Sequence, residues 1–238
     1  VLPMLENLGM RIVSERPYEL TLSDGNRIWI QDFDMQPPRL DGLNLELIRS
    51  HFQEAFEQTW RGHNENDGFN RLILLAKLDW RQAAMLRATA KFLQQTGSPI
   101  SQTYMEQTLA AWPLAARLLV EYFEGRFDPG RADETRAQRM AARKQLYQQC
   151  TELAEGIDDP VLQECIEDVF LARETEGRDD DAVAVRRALM RILDLVSSAD
   201  QDRILRSFSD TTRAMLRTNF FQRDARGQRH EYESFKFD

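Results

Sequence analysis

Two periodicities divide this chain. Over residues 10–22 and 27–34, apolar and polar residues alternate in runs rich in Ile, Val, Tyr, Trp and Phe, the period-two pattern of strands. Between the runs, Ser23-Asp24-Gly25-Asn26 offers the positive φ that a tight turn needs, so the pattern predicts a hairpin. Leu2, Leu5 and Leu8 ahead of it predict a short helix ended by Gly9. Such an α-β-β piece has two edges and too little core to stand alone, and is expected to pack on helices or on further strands. At Pro37-Pro38 the strand pattern stops, because proline lacks the ladder donor, and everything after reads at the helical period.

The first long helix is predicted over residues 44–60, with Leu45, Ile48, Phe52, Ala55, Phe56 and Trp60 on one face and Phe52 as the expected core anchor. A second runs over 67–78. A third starts at Asp79, whose carboxylate caps Gln82 before Ala83, Leu86, Ala90 and Leu93 line up, and ends at Gly97-Ser-Pro99. Thr103 with Glu106 reads as a capping box, and Pro113 opens a helix carrying Leu114, Arg117, Leu118 and Glu121. Arg126-Phe-Asp-Pro-Gly130 is the best internal boundary. Beyond it lie a charged helix over 132–155 with Met140, Tyr147, Cys150 and Ala154 at helical spacing, and one opened by Asp158-Asp159-Pro160 through Leu162, Cys165, Val169 and Phe170. A solvated loop is expected over 174–181, where six of eight residues are charged. Helices over 181–196 and 199–220 follow. The predicted fold is mainly α, a helical array with a small N-terminal α-β-β piece. Its divisions are 1–38, a helical subdomain over 39–130, a second over 131–220, and a connection over 221–238.

Composition narrows the functional classes. The chain has 238 residues, 42% of them hydrophobic, enough for an ordinary core. A formal charge of -8 disfavours nucleic-acid partners. No apolar run approaches the roughly 20 residues of a membrane span and no signal pattern opens the chain, so the cytoplasm is expected. Cys150 and Cys165 are the only cysteines, too few for a disulfide framework, and read as core residues on apolar faces. Val1 in place of Met, and an end at Asp238 without a helix stop signal, lead to the expectation of a longer parent polypeptide.

Candidate chemistry is sparse. No G-x-G-x-x-G occurs, and Gly125 to Gly130 has the outer spacing of a phosphate loop but Arg131-Ala132 where Lys-Ser/Thr belongs. His63, Glu65 and Asp67 could bind a hard cation weakly, but they read better as a polar loop with Asp67 as a helix cap. No nucleophile elbow is present. Asp67-Gly-Phe-Asn70 is an unusual helix start, a cap followed by an aromatic anchor, and makes Asp67, Phe69 and Asn70 candidate contacts to a neighbouring domain. Leu216-Arg-Thr-Asn219 ends the last predicted helix, whose Ile204, Phe208, Met215 and Leu216 are expected to face a core. Arg203, Arg206, Arg213 and Arg217 are expected to form a basic face there, with Arg217 and Asn219 as further contact candidates.

The stretch over 67–109, DGFNRLILLAKLDWRQAAMLRATAKFLQQTGSPISQTYMEQTL, is followed in order by Arg126-Phe-Asp-Pro129, Asp202-Arg-Ile-Leu-Arg206, Leu216-Arg-Thr-Asn219 and Ser234-Phe-Lys236. Together they resemble the large NAD-specific glutamate dehydrogenases of bacteria. Val1 to Gly9 and Ser14-Glu-Arg-Pro-Tyr18 look like the end of the last ACT-type regulatory module of that family. The resemblance implies a parent enzyme that converts L-glutamate, NAD and water to 2-oxoglutarate, ammonia and NADH. It also implies a catalytic domain of the same polypeptide as partner, a homo-oligomeric parent, and an amino-acid effector near the ACT-like piece. In this segment it implies no catalytic residue, no metal and no cofactor site, with NAD bound elsewhere in the parent; Lys236, in the signature near the entry to the catalytic domain, joins the contact candidates. The alternative reading is an independent helical interaction protein or an amino-acid-sensing regulator.

Overall fold

The computed structural model describes residues 1–38, 45–172, 178–230 and 232–238, the side chains of 45–47, 170–172 and 178–181 excepted. The predicted helix start at 44, residues 174–177 of the predicted loop, and the side chains of Leu45 and Phe170 lie outside the described residues.

The first element is α1, Leu2–Asn7, with Pro3 in its first turn; Gly9 follows at φ 90° and turns the chain into the hairpin. Strands β1, Arg11–Thr21, and β2, Arg27–Gln36, pair antiparallel with Tyr18 opposite Ile30 and Leu20 opposite Ile28, and the register shifts between Ile12 and Ser14. At the turn, Gly25 takes φ 83° and the Asp24 carboxylate accepts from the Asn26 amide at 3.0 Å. Helix α2, Leu45–Trp60, is followed by a single 3₁₀ turn over Gly68–Arg71 and the four-residue α3, Leu72–Leu75. The continuous helix expected over 67–78 is therefore split, and Lys77 at φ 55° makes the bend into α4, Trp80–Gln95.

The remaining helices are α5, Gln102–Ala111; α6, Pro113–Phe127; α7, Arg136–Leu153; α8, Pro160–Ala172; α9, Arg178–Asp194; and α10, Ala199–Ala214. The α4 cap is as the sequence predicts, with the Asp79 carboxylate accepting from the Gln82 amide at 2.8 Å and the Gln82 side chain closing the box. The α5 cap is not: Ser101, rather than Thr103, accepts from the Tyr104 amide at 3.2 Å, and Glu106 instead accepts from Gln102 at 2.9 Å. Helix α9 begins at Arg178, inside the run expected to be a loop. A row of acids in a first helical turn is favoured by the exposed amides there, so dense charge is no bar to helix.

The last predicted helix needs the largest correction. It stops at Ala214, and Met215–Thr218 forms β3, paired antiparallel with β4, Phe235–Phe237. Leu216, expected in the core, is 48% exposed, while Met215 is buried. Met215 fits both a helical and an alternating pattern, and the partner strand 20 residues downstream decides between them.

Most buried apolar side chains form one continuous cluster from Phe69 through α4, α6, α8, α9 and α10 to Phe220, and it includes both free cysteines, Cys150 and Cys165. A small second cluster joins Leu8, Ala55, Ile73 and Ala83 with half-buried Phe52, Phe56 and Trp80. Phe52 thus belongs to this satellite instead of anchoring the main core, and Trp60 is 60% exposed. The satellite is also where the α-β-β piece docks: α1 packs onto α2, while the hairpin stays largely exposed along both strands.

Candidate functional site

Helices α4 and α6 present arginines to two different partners. Arg87, on α4, is almost completely buried and forks onto Asp67, Nε to Oδ2 at 2.6 Å and Nη2 to Oδ1 at 2.9 Å. The same guanidinium donates to Asn64 Oδ1 and Asn70 Oδ1, each at 2.9 Å, and stands over the Phe69 ring. Asn70 in turn donates to the Glu65 carbonyl at 2.9 Å, and Asp67 also accepts from the Phe69 amide at 3.1 Å. Three of the sequence candidates, Asp67, Phe69 and Asn70, therefore meet in one internal node around Arg87, where Phe69 and Asn70 are fully buried. A Cβ on Gly68 would stand 2.5 Å from Glu106 Oε2 and 3.3 Å from Glu106 Cβ, so a larger residue there would displace the Glu106 side chain. His63, Glu65 and Asp67 each have a separate partner, Gln58, Lys91 and Arg87 respectively. Among the described residues no group of His, Cys, Asp and Glu is placed to hold a metal ion.

The second partner is the terminal segment. Arg81, also on α4, pairs with Glu233 at 2.9 Å and stands over the Phe220 ring at 5.0 Å. Arg126, near the end of α6, donates to the carbonyls of Thr212, of Arg213 at 3.0 Å and of Met215 at 3.1 Å. It thereby caps the carboxyl end of α10, where unsatisfied carbonyls and the helix dipole both favour a cation. Phe123 sits one turn before Arg126, fully buried, with Phe127, Phe220, Phe221 and Phe235 around it at centroid distances of 5.2 to 6.1 Å. Phe237 stacks on Phe92 of α4 at 3.8 Å. Asn219 closes the segment on itself, accepting from the Ser234 amide at 2.7 Å and donating to the Tyr232 carbonyl at 2.9 Å. Arg217 and Lys236, the other two candidates, face each other in register on β3 and β4, both exposed.

Charge is balanced under this junction. Arg131 joins Glu121 at 2.5 Å and Glu124 at 2.9 Å, Arg117 reaches Glu121 at 3.5 Å, and Gln82 donates to Glu124 at 2.6 Å. Burial works against the Arg131 charge, and Glu121, Glu124 and Asp128 more than offset it. Burial, with Glu121 beside it, raises the Glu124 carboxyl above the ordinary range. Burial also pushes Glu233 up to about 7, against the pull of Arg81 and with a smaller push from Asp79. Most of these charges face an opposite charge or a carbonyl, an arrangement that fixes one element against another. Sequence reasoning overlooked Arg81, Arg87, Arg126 and Glu233. A signal was present in Arg117 and Glu121, which lie one helical turn apart on an otherwise apolar stripe, the spacing of a buried ion pair.

Three family profiles match the chain in order. Residues 1–48 match the glutamate dehydrogenase ACT3 domain, 64–129 glutamate dehydrogenase helical motif 3, and 188–238 the bacterial NAD-glutamate dehydrogenase catalytic domain. The chain belongs to the bacterial NAD-glutamate dehydrogenase family. An NAD-specific glutamate dehydrogenase of Halomonas elongata is 37% identical over the whole chain, one of Pseudomonas aeruginosa is 34% identical over the whole chain, and one of Mycobacterium tuberculosis is 33% identical over 93% of it. The chain spans 12%, 12% and 11% of those relatives' lengths. The Arg81, Arg126 and Phe123 contacts thus join the helical-motif match to the catalytic-domain match, which contains α10 and both terminal strands. The described residues contain no helix long and apolar enough to cross a membrane.

Proposed function

We propose that this chain is the part of an NAD-specific glutamate dehydrogenase that holds the catalytic domain in position against the helical region. The parent reaction is the oxidation of L-glutamate with NAD and water to 2-oxoglutarate, ammonia and NADH, in the cytoplasm. The observation that carries the reading is the junction itself, where the guanidinium groups of Arg81 and Arg126 and the Phe123 ring grip the segment matched to the catalytic domain. A buried aromatic anchor flanked by directed charge pairs orients as well as attaches, since each guanidinium accepts only one geometry of its oxygens.

Arg217 and Lys236 extend the same reading outward. Two cations in register on a two-stranded ribbon repel each other, and an acidic surface in the remainder of the parent's catalytic domain would relieve that repulsion. The segment by itself is expected to be inactive. The test has two arms. In the parent enzyme, Arg126→Met removes the cap on α10 and is expected to lower NADH formation at least tenfold, whereas the 238-residue chain should neither reduce NAD with glutamate nor bind NAD in a calorimetric titration. Parent activity unchanged by Arg126→Met would overturn the positioning role, and micromolar NAD affinity of the chain alone would overturn its non-catalytic assignment.

A further inference from the structure

The exposed loop over residues 222–230 is braced from within and lightly tied to the rest of the protein. A backbone bridge joins Arg223 to Arg229, and the Asp224 carboxylate accepts from the Arg226 and Gln228 amides at 2.9 and 2.8 Å. At the base of the loop, Asn219 on the outgoing leg holds Tyr232 and Ser234 on the returning leg. Between those two residues stands Glu233, turned inward with its side chain 14% exposed. Arg81 of α4 meets both legs there, its Nη2 lying 2.9 Å from Glu233 Oε1 and 3.4 Å from the Phe220 carbonyl. Its Nε is buried without a hydrogen-bond partner among the described residues, so Arg81 lacks the Nε-and-Nη2 fork by which Arg87 holds Asp67.

We propose that Arg81 and Glu233 form a proton-dependent clasp at the mouth of the terminal ribbon, shut firmly in acid and loosened as the pH rises to neutral. Opening carries the returning leg outward with Glu233 and parts Asn219 from Tyr232 and Ser234, while the braced loop moves as one body. A buried carboxylate is most costly when ionised, and one partner held by a single prong offsets only part of that cost. The charges that face Glu233 are few. On α4 and its cap, Arg81 and Arg87 favour ionisation and Asp79 opposes it, and from the loop Arg229 favours it. Burial outweighs the three arginines and holds the carboxyl up at about 7, against an ordinary 4.5. The closed form therefore keeps its proton over a range in which the open form, with Glu233 in water, has lost it. Closure is strongest below about pH 4.5, weakens from there to 7, and is level above. The same segment walls a cavity of about 360 Å³, with Phe220, Phe221, Arg223 and Arg229 across from Asp79, Glu124 and Asp128. Opening widens that cavity and slackens the start of β4. In the parent enzyme the clasp would make the seating of the catalytic domain follow pH; that extension rests on the positioning role proposed above, whereas the clasp is a property of this chain.

The test is amide hydrogen exchange of the 238-residue chain, followed by NMR from about pH 5 to about pH 8, with each rate divided by that of an unstructured peptide at the same pH. Protection of the Asn219 and Ser234 amides should fall at least about tenfold between pH 5 and 7 and then level off. The Asp224 and Gln228 amides inside the loop, and the Asn70 amide in the node around Arg87, should keep theirs. Glu233→Gln, which cannot ionise, should hold Asn219 and Ser234 at a protection that does not change with pH. His230→Asn should keep the wild-type response, which separates Glu233 from the loop's own histidine. Protection that is flat or rises with pH in the wild type, an undiminished response in Glu233→Gln, a response lost with His230, or an equal loss at Asn70 would overturn the clasp. These readouts need no activity, so they stand whether or not the positioning role does.

Discussion

The two antiparallel ribbons of this protein make an instructive pair. The N-terminal one, β1 and β2, is long and alternates apolar with polar residues around one register shift, yet Tyr18, Leu20, Ile28, Trp29 and Ile30 are each between 44% and 60% exposed. The terminal one, β3 and β4, is only three or four residues per strand and also shifts register once, yet it is held by Met215, Phe235 and Phe237 against the main core. Strand length and alternation are therefore poor guides to which ribbon is fixed. What differs is the neighbour. The short ribbon meets α4 and α6, which offer a phenylalanine cluster and two arginines, whereas the long one touches the rest of the protein chiefly through α1.

The sharpest way to break this comparison is to remove the central ring on the fixed side. Phe123→Ala is expected to cost about 3–5 kcal/mol, because a fully buried phenyl in contact with four others leaves a cavity when deleted. Urea unfolding of the 238-residue chain measures it; a loss under about 1 kcal/mol would mean that the terminal ribbon is anchored by something else.

Glu233 supplies the next effect, through pH. Its carboxyl titrates near 7 in the folded protein because of burial, above its ordinary value of 4.5, so the folded state binds the proton more tightly than the unfolded one. The stabilisation is fully present below about pH 4.5 and is lost as pH rises through 7, a total of about 3 kcal/mol at most. Subtracting the stability of Glu233→Gln from that of the wild type between pH 4.5 and 8 isolates this window. A flat difference would show that Arg81 holds Glu233 ionised throughout.

Asn219→Ala removes two hydrogen bonds that close the terminal segment and is expected to cost about 1–2 kcal/mol. Hydrogen exchange should show the loss around residues 219–234 without change in the node around Arg87. Loosening of both regions together would contradict their independence.

The smallest effect belongs to the exposed ribbon. Trp29→Ser, at a side chain 60% exposed, should shift the stability of this chain by no more than about 0.5 kcal/mol. A larger loss would mean that the N-terminal hairpin shares the core after all, and the contrast between the ribbons would disappear.

Much of the fold is legible in the sequence. The hairpin turn at Asp24-Gly25, the caps at Asp67 and Asp79, the helix starts at Pro113 and Pro160, and the burial of both cysteines all follow from local chemistry or periodicity. The candidate residues were legible in a different sense. Asp67-Gly-Phe-Asn70 stood out as an unusual helix start, but not as the pocket for an arginine 20 residues on. Leu216-Arg-Thr-Asn219 is recognisable as a motif, but its local pattern fits the end of a helix, whereas Met215–Thr218 is a strand. Arg81, Arg126 and Glu233 carried no local mark, since an arginine that grips a carbonyl or a distant carboxylate looks in sequence like any solvated arginine.

The sequence by itself determined where elements begin and turn, because capping, proline geometry and positive φ act over three or four residues. It also determined the mainly α class, because a helical stripe is written into consecutive turns. Only the tertiary structure decided that residues 215–218 are a strand, that Arg87 and Arg81 of α4 serve two different partners, Asp67 and Glu233, and that carboxylates and guanidiniums face one cavity near α6. Those outcomes depend on groups brought together across the chain, from Thr218 and Phe235 in one ribbon to Arg81 and Glu233 in one ion pair, and the energy of each contact exists only once the core has closed around it.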